Sequence, residues 1–426
     1  MKVAIIGAGA AGLSAARHLI RKSNVSFSIF ESTSQVGGTW VYTDKVGNDD
    51  FGNPLHSSMY MNLKTNLPKE AMAFPEYPFK SHLPSFITHR DVRMYLVDFS
   101  HDNGINDYIR FHTRVEKISP ISNGTDCFPT WSVTSCNLLT KLEVTELFDA
   151  VMVCNGHYAV PHLPAISNMG KFKGEIVHSH SYRTPQPYAN KTIVVLGAGP
   201  SATDISIDLT SCAKHVIMSH RAKIKDNMPK IVEQRPAVVG FTRNGVVLSD
   251  SSECDCDAVI FCTGYEYSFP FIKEKNVVEI KEGRVTPLYK HLISINFPNL
   301  SFIGLCQKVC PFPQFDCQVA FAYAVLKGSA VLPSYKEMLL SEDDDYQDHK
   351  SKGLPDKNSH LLGAAQWEYN DALAEACNEP TISPIVEKLY KDAHIRRYAN
   401  IADYRKVNYI INQNGNSFDV EERLDN

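Results

Sequence analysis

One short pattern near the amino terminus constrains the fold of this chain more than any other. Residues Lys2–Ile6 predict a buried strand, and Leu13–Ile20 predict a helix. Between them stands the glycine-rich segment Gly7-Ala8-Gly9-Ala10-Ala11-Gly12. A second predicted strand, Phe27–Phe30, runs directly into Glu31. This order of strand, glycine turn, helix, strand and acid is typical of a dinucleotide-binding βαβ unit.

Each glycine of that unit, and the acid that follows it, has a physical task. Gly7 permits the tight turn, Gly9 lets the backbone approach a pyrophosphate, and Gly12 lets the helix pack closely on the strand. The helix N-terminus supplies free N–H groups and the positive end of the helix dipole. Glu31 can accept hydrogen bonds from ribose hydroxyls. The segment therefore predicts a bound dinucleotide.

The same pattern returns in the middle of the chain. Thr192–Leu196 and His215–Ser219 predict strands, and Thr203–Leu209 predict a helix. The loop before the helix is Gly197-Ala198-Gly199-Pro200-Ser201-Ala202, with Ala202 in place of the third glycine, which this motif tolerates. We therefore expect a second dinucleotide to contact Gly197, Gly199, Ser201 and Ala202.

The charge at the ribose-reading position differs between the two units. Glu31 lies 24 residues after Gly7, and Arg221 lies 24 residues after Gly197. A carboxylate repels a 2′-phosphate, whereas a guanidinium pairs with it. The first unit therefore suits FAD and the second suits NADPH, with His220 and Lys223 adding positive potential beside Arg221.

The predicted fold class is α/β, with two Rossmann-like dinucleotide-binding domains. A chain of 426 residues is long for one compact core. We expect residues 1–165 to form the first part of the FAD domain and residues 166–288 to form an inserted NADPH domain. Residues 289–426 should return to the FAD domain. The charged segment Ser341–His360 is predicted to be a surface loop or a partly disordered insertion.

Composition excludes several classes of protein. A formal net charge of −4 does not give the basic surface that nucleic-acid binding needs. Eleven cysteines at irregular spacing do not form a disulfide framework, and Cys254 and Cys256 have no partners for a zinc site, so no metal is expected. No apolar stretch approaches the roughly 18 residues of a membrane helix. The chain begins directly at the first strand, so we expect a cytoplasmic protein, secreted only if a leader is missing; homo-oligomerisation is left open.

Further segments carry a family resemblance. Residues 172–182 resemble the F-x-G-x-x-x-H-x-x-x-F/Y fingerprint of flavin-containing monooxygenases, and they stand between the two nucleotide motifs as in that family. Gly37-Gly38-Thr39-Trp40 resembles the family's G-G-x-W, and residues 60–66 resemble its Y-x-x-L-x-T-N. Residues 261–265 and 154–157 are similar to its F-A-T-G-Y and C-T-G-H, with Cys262 and Asn155 as departures. In detail the chain looks most like insect members, which include pyrrolizidine-alkaloid N-oxygenases.

The resemblance implies a reaction. NADPH would reduce FAD, O₂ would add to give a C4a-hydroperoxyflavin, and a small soft nucleophile would be N- or S-oxygenated. The expected substrate is a tertiary amine such as a plant alkaloid. Asn66 matches the family's active-site asparagine, whereas His178 would have a largely structural role. Further cofactor contacts are expected from Gly38, Thr39, Trp40, Thr65, Thr263 and Gly264. The family's hydrophobic C-terminal anchor is replaced here by a polar segment, residues 419–426, so a soluble enzyme is implied.

Three alternatives stay open at this point. A Baeyer–Villiger monooxygenase would act on ketones, but those enzymes usually end the shared fingerprint in tryptophan rather than in a residue such as Tyr182. A disulfide reductase would need a redox cysteine pair near Gly37, which the sequence lacks. The third alternative is a non-enzymatic NADPH-binding protein of the same fold.

Overall fold

The computed structural model describes residues 1–21, 24–121, 128–222 and 226–423. The helices in these ranges are α1 Ala10–Ile20, α2 Lys69–Met72, α3 His89–Asp102, α4 Pro200–Leu209, α5 Pro311–Leu326, α6 Tyr335–Ser351, α7 Gln366–Cys377 and α8 Pro384–Ala399. The strands of the first half are β1 Lys2–Ile6, β2 Ser26–Phe30, β3 Ile109–Arg110, β4 Thr113–Ile121, β5 Thr130–Asn137, β6 Glu143–Phe148, β7 Ala150–Val153, β8 Val160–Pro161, β9 Glu175–His178, β10 Thr192–Leu196 and β11 His215–Ser219. The remaining strands are β12 Val232–Arg235, β13 Val238–Phe241, β14 Gly245–Leu248, β15 Glu253–Asp255, β16 Ala258–Phe261, β17 Tyr265–Glu266, β18 Glu279–Lys281, β19 Arg284–Thr286, β20 Leu288–Tyr289, β21 Ile293–Ser294, β22 Leu300–Phe302, β23 Val407–Ile411 and β24 Phe418–Glu422.

The first large sheet has the strand order β20-β21-β22-β7-β1-β2-β3. Its centre is parallel, and Ile5 of β1 pairs with Ile29 on one side and with Met152 on the other. These apolar strands are covered on one face by α1 and α5, whose residues Leu13 and Val319 are fully buried. On the other face, Ala4 and Ile6 pack into a second buried cluster. Burial on both faces explains why the strands are near-continuous apolar runs.

The second large sheet has the order β12-β11-β10-β16-β9, and all of its strands are parallel. Its central strand is apolar on both faces, because Ile193 packs into one buried cluster and Val194 into another. Helix α4 lies over the first of these clusters through Ile205 and Leu209.

The chain order of the strands explains how the two sheets are connected. Strands β20 to β22 follow the whole second sheet in sequence, yet they complete the first sheet. The predicted α/β fold, with one dinucleotide-binding fold inserted into another, is therefore confirmed. The chain passes between the two sheets twice. The two connecting segments lie side by side, since β8 of one pairs with β17 of the other. The domain boundaries after residues 165 and 288 remain predictions.

The prediction for Ser341–His360 was wrong, because most of this segment is helical. Helix α6 starts with a capping box, in which the side chains of Ser334 and Glu337 each accept a hydrogen bond from the other residue's backbone amide. The helix is anchored by Met338, which is buried, and by an ion pair of 2.8 Å between Arg284 and Glu342. Capping and these few anchors compensate for the weak apolar face, which is why composition alone predicted a loop.

Other expected features can be compared with the described part of the chain. The ten cysteines described there are all unpaired. Within the same ranges, no group of three His, Cys, Asp or Glu side chains could hold a metal ion. No helix found in those ranges is long and apolar enough to cross a membrane.

Candidate functional site

The first glycine loop is shaped by close backbone contacts. Gly7 has φ +105°, and a Cβ atom there would lie 2.6 Å from the carbonyl oxygen of Cys154. A Cβ atom on Gly12 would lie 1.9 Å from the carbonyl oxygen of Gly7. Gly9 is different, because its φ of −79° suits any residue and the nearest atom to a Cβ there would be Gly38 Cα, at 3.5 Å. The protein's own packing thus requires glycine at positions 7 and 12, whereas position 9 leaves room beside the backbone.

The second glycine loop repeats this geometry. Gly197 has φ +135°, and a Cβ atom there would lie 2.5 Å from the carbonyl oxygen of Cys262. Gly199 caps α4 with φ −78° and ψ −177°, close to the −79° and −175° of Gly9 at α1. Neither helix has a side-chain cap, and no described atom lies within 4 Å of a Cβ placed on Gly199. Both helix N-termini therefore keep N–H groups available for a phosphate.

Two further residues of the second loop differ in burial. Ser201 is exposed, whereas Ala202 is fully buried in the core under the second sheet. Ala202 has the position in the second loop that Gly12 has in the first. Its methyl group packs into the core there, whereas Gly12 makes a close backbone contact.

The Gly37–Trp40 turn packs against the first glycine loop. A Cβ atom on Gly38 would lie 3.0 Å from Gly9 Cα, and the amide of Gly37 donates to the carbonyl of Ala8 at 3.2 Å. Trp40 makes an edge contact with Phe312 of α5, with ring centres 6.5 Å apart. The Thr39 hydroxyl lies 3.2 Å from that of Ser58. The structure thus places the predicted residues Gly38, Thr39 and Trp40 beside the first glycine loop.

Glu31 is buried and turned toward the glycine loop. One carboxylate oxygen accepts from the amide of Ala8 at 2.8 Å, and the other accepts from the amide and the hydroxyl of Thr33, each at 2.8 Å. A carboxylate offers about four lone-pair sites, so these three donors leave capacity for a ribose hydroxyl. Its negative charge at this buried position disfavours a nucleotide with a 2′-phosphate.

His56 lies at the same site and was missed by sequence reasoning. Burial lowers its pKa, while the nearby charge of Glu31 acts in the opposite direction. A Cβ atom on Gly156, which follows β7, would lie 3.4 Å from His56 Nε2. The histidine therefore lies near both Glu31 and the end of β7. A single histidine in a long irregular segment carries no pattern that could have revealed this.

Asn66 and Thr65 follow each other but have different surroundings. Thr65 is buried; its amide donates to the carbonyl of Ile87 at 2.8 Å and its hydroxyl accepts from the Ile87 amide at 3.2 Å. Asn66 is exposed. The loop is thus held by Thr65, and the amide side chain of Asn66 stays accessible to a ligand.

The fingerprint segment joins the two halves of the structure. His178 Nε2 donates to the carbonyl of Gly264 at 3.1 Å, and burial lowers the pKa of His178 to about 4. The hydroxyl of Tyr182 donates to Asp208 of α4 at 2.6 Å. The hydroxyl of Thr263 donates to the carbonyl of His162. The two segments that connect the sheets are thus held together by Thr263, Gly264 and His178. The cofactor contacts predicted for Thr263 and Gly264 stay predictions.

The predicted 2′-phosphate site lies just after β11. Arg221 is exposed there. His220 is 7% exposed, and its ring nitrogens bond to the carbonyl of Ala222 at 3.1 Å and to the side chain of Gln234 at 3.2 Å. His220 therefore shapes the turn that presents Arg221. Lys223, the other predicted basic neighbour, lies outside the described residues.

Together these features fit two dinucleotides. In each glycine loop, one glycine leaves open space beside the backbone at a helix N-terminus without a side-chain cap. These glycines are Gly9 and Gly199. The charge next to the loops is negative at Glu31 and positive at Arg221, as FAD and NADPH respectively require.

Comparison with known proteins decides the family. A family model described as flavin-binding monooxygenase-like matches residues 1–225 and 222–399. The chain belongs to this family. It therefore uses FAD and NADPH and is an oxidoreductase of the monooxygenase class.

Three relatives of this flavin-binding monooxygenase are informative. The Arabidopsis thaliana protein "Flavin-containing monooxygenase FMO GS-OX-like 4" is 35% identical over 427 residues, which cover 95% of this chain and 93% of the relative. The structure of S-allyl-L-cysteine S-oxygenase from Allium sativum is 34% identical, with a TM-score of 0.87, and 95% of this chain and 94% of that chain are covered. The structure of Tmm from Pelagibacter sp. strain HTCC7211 is 27% identical with a TM-score of 0.85, covering 98% and 96% of the two chains.

Proposed function

We propose that this flavin-binding monooxygenase transfers one oxygen atom from O₂ to the sulfur of a small thioether. The observation that carries the proposal is full-length similarity, at 34% identity, to a protein whose structure is that of an S-allyl-L-cysteine S-oxygenase. The balanced reaction is R₂S + O₂ + NADPH + H⁺ → R₂SO + NADP⁺ + H₂O. Reduced FAD, when bound, supplies the activated oxygen.

The residues of the chain would bind and orient the reactants. The helix N-termini behind Gly9 and Gly199 would hold the two pyrophosphates, and Arg221 would pair with the 2′-phosphate of NADPH. The amide of Asn66 would donate a hydrogen bond at the place where oxygen is transferred. Trp40 would limit the access of water to that place.

The proposal requires no acid–base pair or metal. A thioether sulfur has a polarisable lone pair and is itself the nucleophile, so no protein side chain has to activate it. His178 in particular is not available as a general base, because its Nε2 donates to Gly264 and its Nδ1 accepts from the amide of His180.

Nitrogen oxygenation is the second candidate. A tertiary amine is also a soft nucleophile, and the resemblance of residues 172–182 to the fingerprint of amine and sulfide oxygenases favours it equally. The insect-type assignment and the pyrrolizidine-alkaloid substrate are the narrowest form of this candidate. Tyr182 at the end of the fingerprint argues against a ketone substrate.

A substrate panel tests the proposal. Purified FAD-loaded enzyme is given NADPH with S-allyl-L-cysteine, methyl phenyl sulfide, trimethylamine, a pyrrolizidine alkaloid or cyclohexanone, and products are identified by mass spectrometry. We expect sulfoxides as the main products. Amine oxides without sulfoxides would establish the second candidate instead, and a lactone from cyclohexanone alone would refute both.

A further inference from the structure

The segment that carries Asn66 is docked on the helix of the second nucleotide fold. Tyr60 is buried in the same apolar cluster as Ile205 of α4. The side-chain amide of Asn62 donates to Asp208 of α4 at 2.8 Å. Residues 60–66 therefore belong to the first half of the chain but pack against α4, whose N-terminus faces the predicted NADPH site.

Arg405 fastens the other end of this segment. Its Nε donates to the carbonyl of Thr65 at 2.9 Å, and its two terminal nitrogens lie 3.2 and 2.6 Å from the two carboxylate oxygens of Asp204 on α4. One of these nitrogens is also 3.5 Å from the carbonyl of Lys64. The guanidinium thus bridges the backbone immediately before Asn66 and the nucleotide-binding helix.

This bridge is buried and charged. The side chains of Arg405 and Asp204 are only 18% and 13% exposed. Burial alone would lower the pKa of Arg405, but the charge of Asp204 raises it above its ordinary value, so the arginine stays protonated. A planar guanidinium can bond to both oxygens of a carboxylate while its Nε donates to a carbonyl, a fixed fork that the single nitrogen of a lysine cannot form.

We propose that Arg405 is a positioning residue that fixes Asn66 relative to α4, and thereby relative to the bound nicotinamide nucleotide. The inference rests on the proposed role of Asn66 in oxygen transfer. Arg405 would act through the Thr65 carbonyl, to which its Nε donates. Displacing a reacting group by about 1 Å can lower a rate by a factor of about 10². Loss of the bridge should therefore change the fraction of NADPH oxidation that yields oxygenated product.

The balance of products shows when the position of Asn66 is lost. Coupled turnover gives one oxygenated product and one water per NADPH. Uncoupled turnover follows NADPH + H⁺ + O₂ → NADP⁺ + H₂O₂, in which the one electron pair lost by NADPH reduces O₂ to peroxide. Loosening the Asn66 segment should shift turnover from the first reaction to the second.

The test compares four FAD-loaded variants with the wild type. Arg405→Met removes the bridge, and Arg405→Lys keeps the charge but loses the bidentate fork to Asp204. Asp204→Asn removes the charge pair and leaves the contact with Thr65. Arg396→Met is the matched control, because Arg396 also makes a 2.6 Å pair with an aspartate in the C-terminal part but does not bond to residues 60–66.

The expected order is quantitative. Two quantities should rise: the peroxide formed per NADPH, and the rate of NADPH oxidation without any thioether. We expect a rise of about tenfold in Arg405→Met, a smaller rise in Arg405→Lys and Asp204→Asn, and none in Arg396→Met. The KM for NADPH should change less than kcat for product. Hydrogen–deuterium exchange should rise in residues 60–66 of Arg405→Met while exchange in residues 7–12 stays as in the wild type.

Two results would overturn the inference. Unchanged coupling and unchanged exchange in Arg405→Met would show that the bridge does not position Asn66. Equal effects in Arg396→Met would show that the loss is one of general stability. If the wild type oxygenates no substrate at all, the proposed function fails, whereas the exchange measurement and NADPH oxidation without substrate still decide the role of Arg405.

Discussion

Replacing Gly9 by alanine should separate cofactor binding from folding. The backbone at Gly9 has φ −79°, which alanine adopts freely, and the nearest atom to the new Cβ would be Gly38 Cα, at the ordinary contact distance of 3.5 Å. The folded chain should therefore tolerate the change to within about 1 kcal/mol, since glycine and alanine differ by about that much as helix caps.

The same methyl group should interfere with FAD. It would occupy the space beside the backbone where the pyrophosphate approaches the N-terminus of α1. Losing one N–H bond to a charged phosphate costs about 1.5–3 kcal/mol, which corresponds to a rise of roughly 10- to 150-fold in Kd. Titration of the apoprotein with FAD, followed by flavin fluorescence, measures this directly.

Two other variants serve as controls for Gly9→Ala. Gly199→Ala should leave the Kd for FAD unchanged and raise the KM for NADPH. Gly12→Ala should destabilise the apoprotein as well, because its Cβ would lie 1.9 Å from a backbone oxygen that cannot move easily. If Gly9→Ala binds FAD as tightly as the wild type, or unfolds without FAD, the assignment of this loop to the pyrophosphate is refuted.

Three further predictions concern charge and protonation. Arg221→Ala should lower kcat/KM for NADPH about tenfold or more while leaving that for NADH nearly unchanged; an unchanged NADPH/NADH ratio would mean that another residue binds the phosphate. Asn66→Asp should still bind FAD but lose most product, with NADPH consumption appearing as peroxide in a coupled peroxidase assay; a normal product yield would make Asn66 a loop residue only. Burial lowers the pKa of His157 and of His178 to about 4, so the unfolded chain binds more protons between about pH 6.5 and pH 4 and folding stability should fall as the pH drops through that window. Urea midpoints for His178→Gln should decline less steeply over this range than those of the wild type, and parallel curves would contradict the assignment.

The nucleotide-binding units could be predicted because their determinants are local. Strands Lys2–Ile6, Thr192–Leu196 and His215–Ser219 have the predicted bounds. Helices α1 and α4 begin at Ala10 and Pro200, three residues earlier than predicted, because the end of each glycine loop is already helical.

What the sequence could not give are contacts between distant segments. Arg405 meets Thr65 across 340 residues, and no short motif marks it. His56 likewise becomes significant only because the fold places it beside Glu31. The helical state of α6 was missed because its stability comes from capping and from the pair of Arg284 with Glu342 rather than from an apolar face.

Isotope labelling tests most directly whether O₂ supplies the oxygen atom of the product while NADPH is oxidised. The FAD-loaded enzyme is given S-allyl-L-cysteine and NADPH under ¹⁸O₂ in ordinary water, and the product is weighed by mass spectrometry while NADPH is followed by absorbance. We expect one ¹⁸O atom in each sulfoxide formed, and one NADPH consumed for each sulfoxide. A product that takes its oxygen from water, or NADPH consumption matched entirely by peroxide with no labelled product from any member of the panel, would contradict the account.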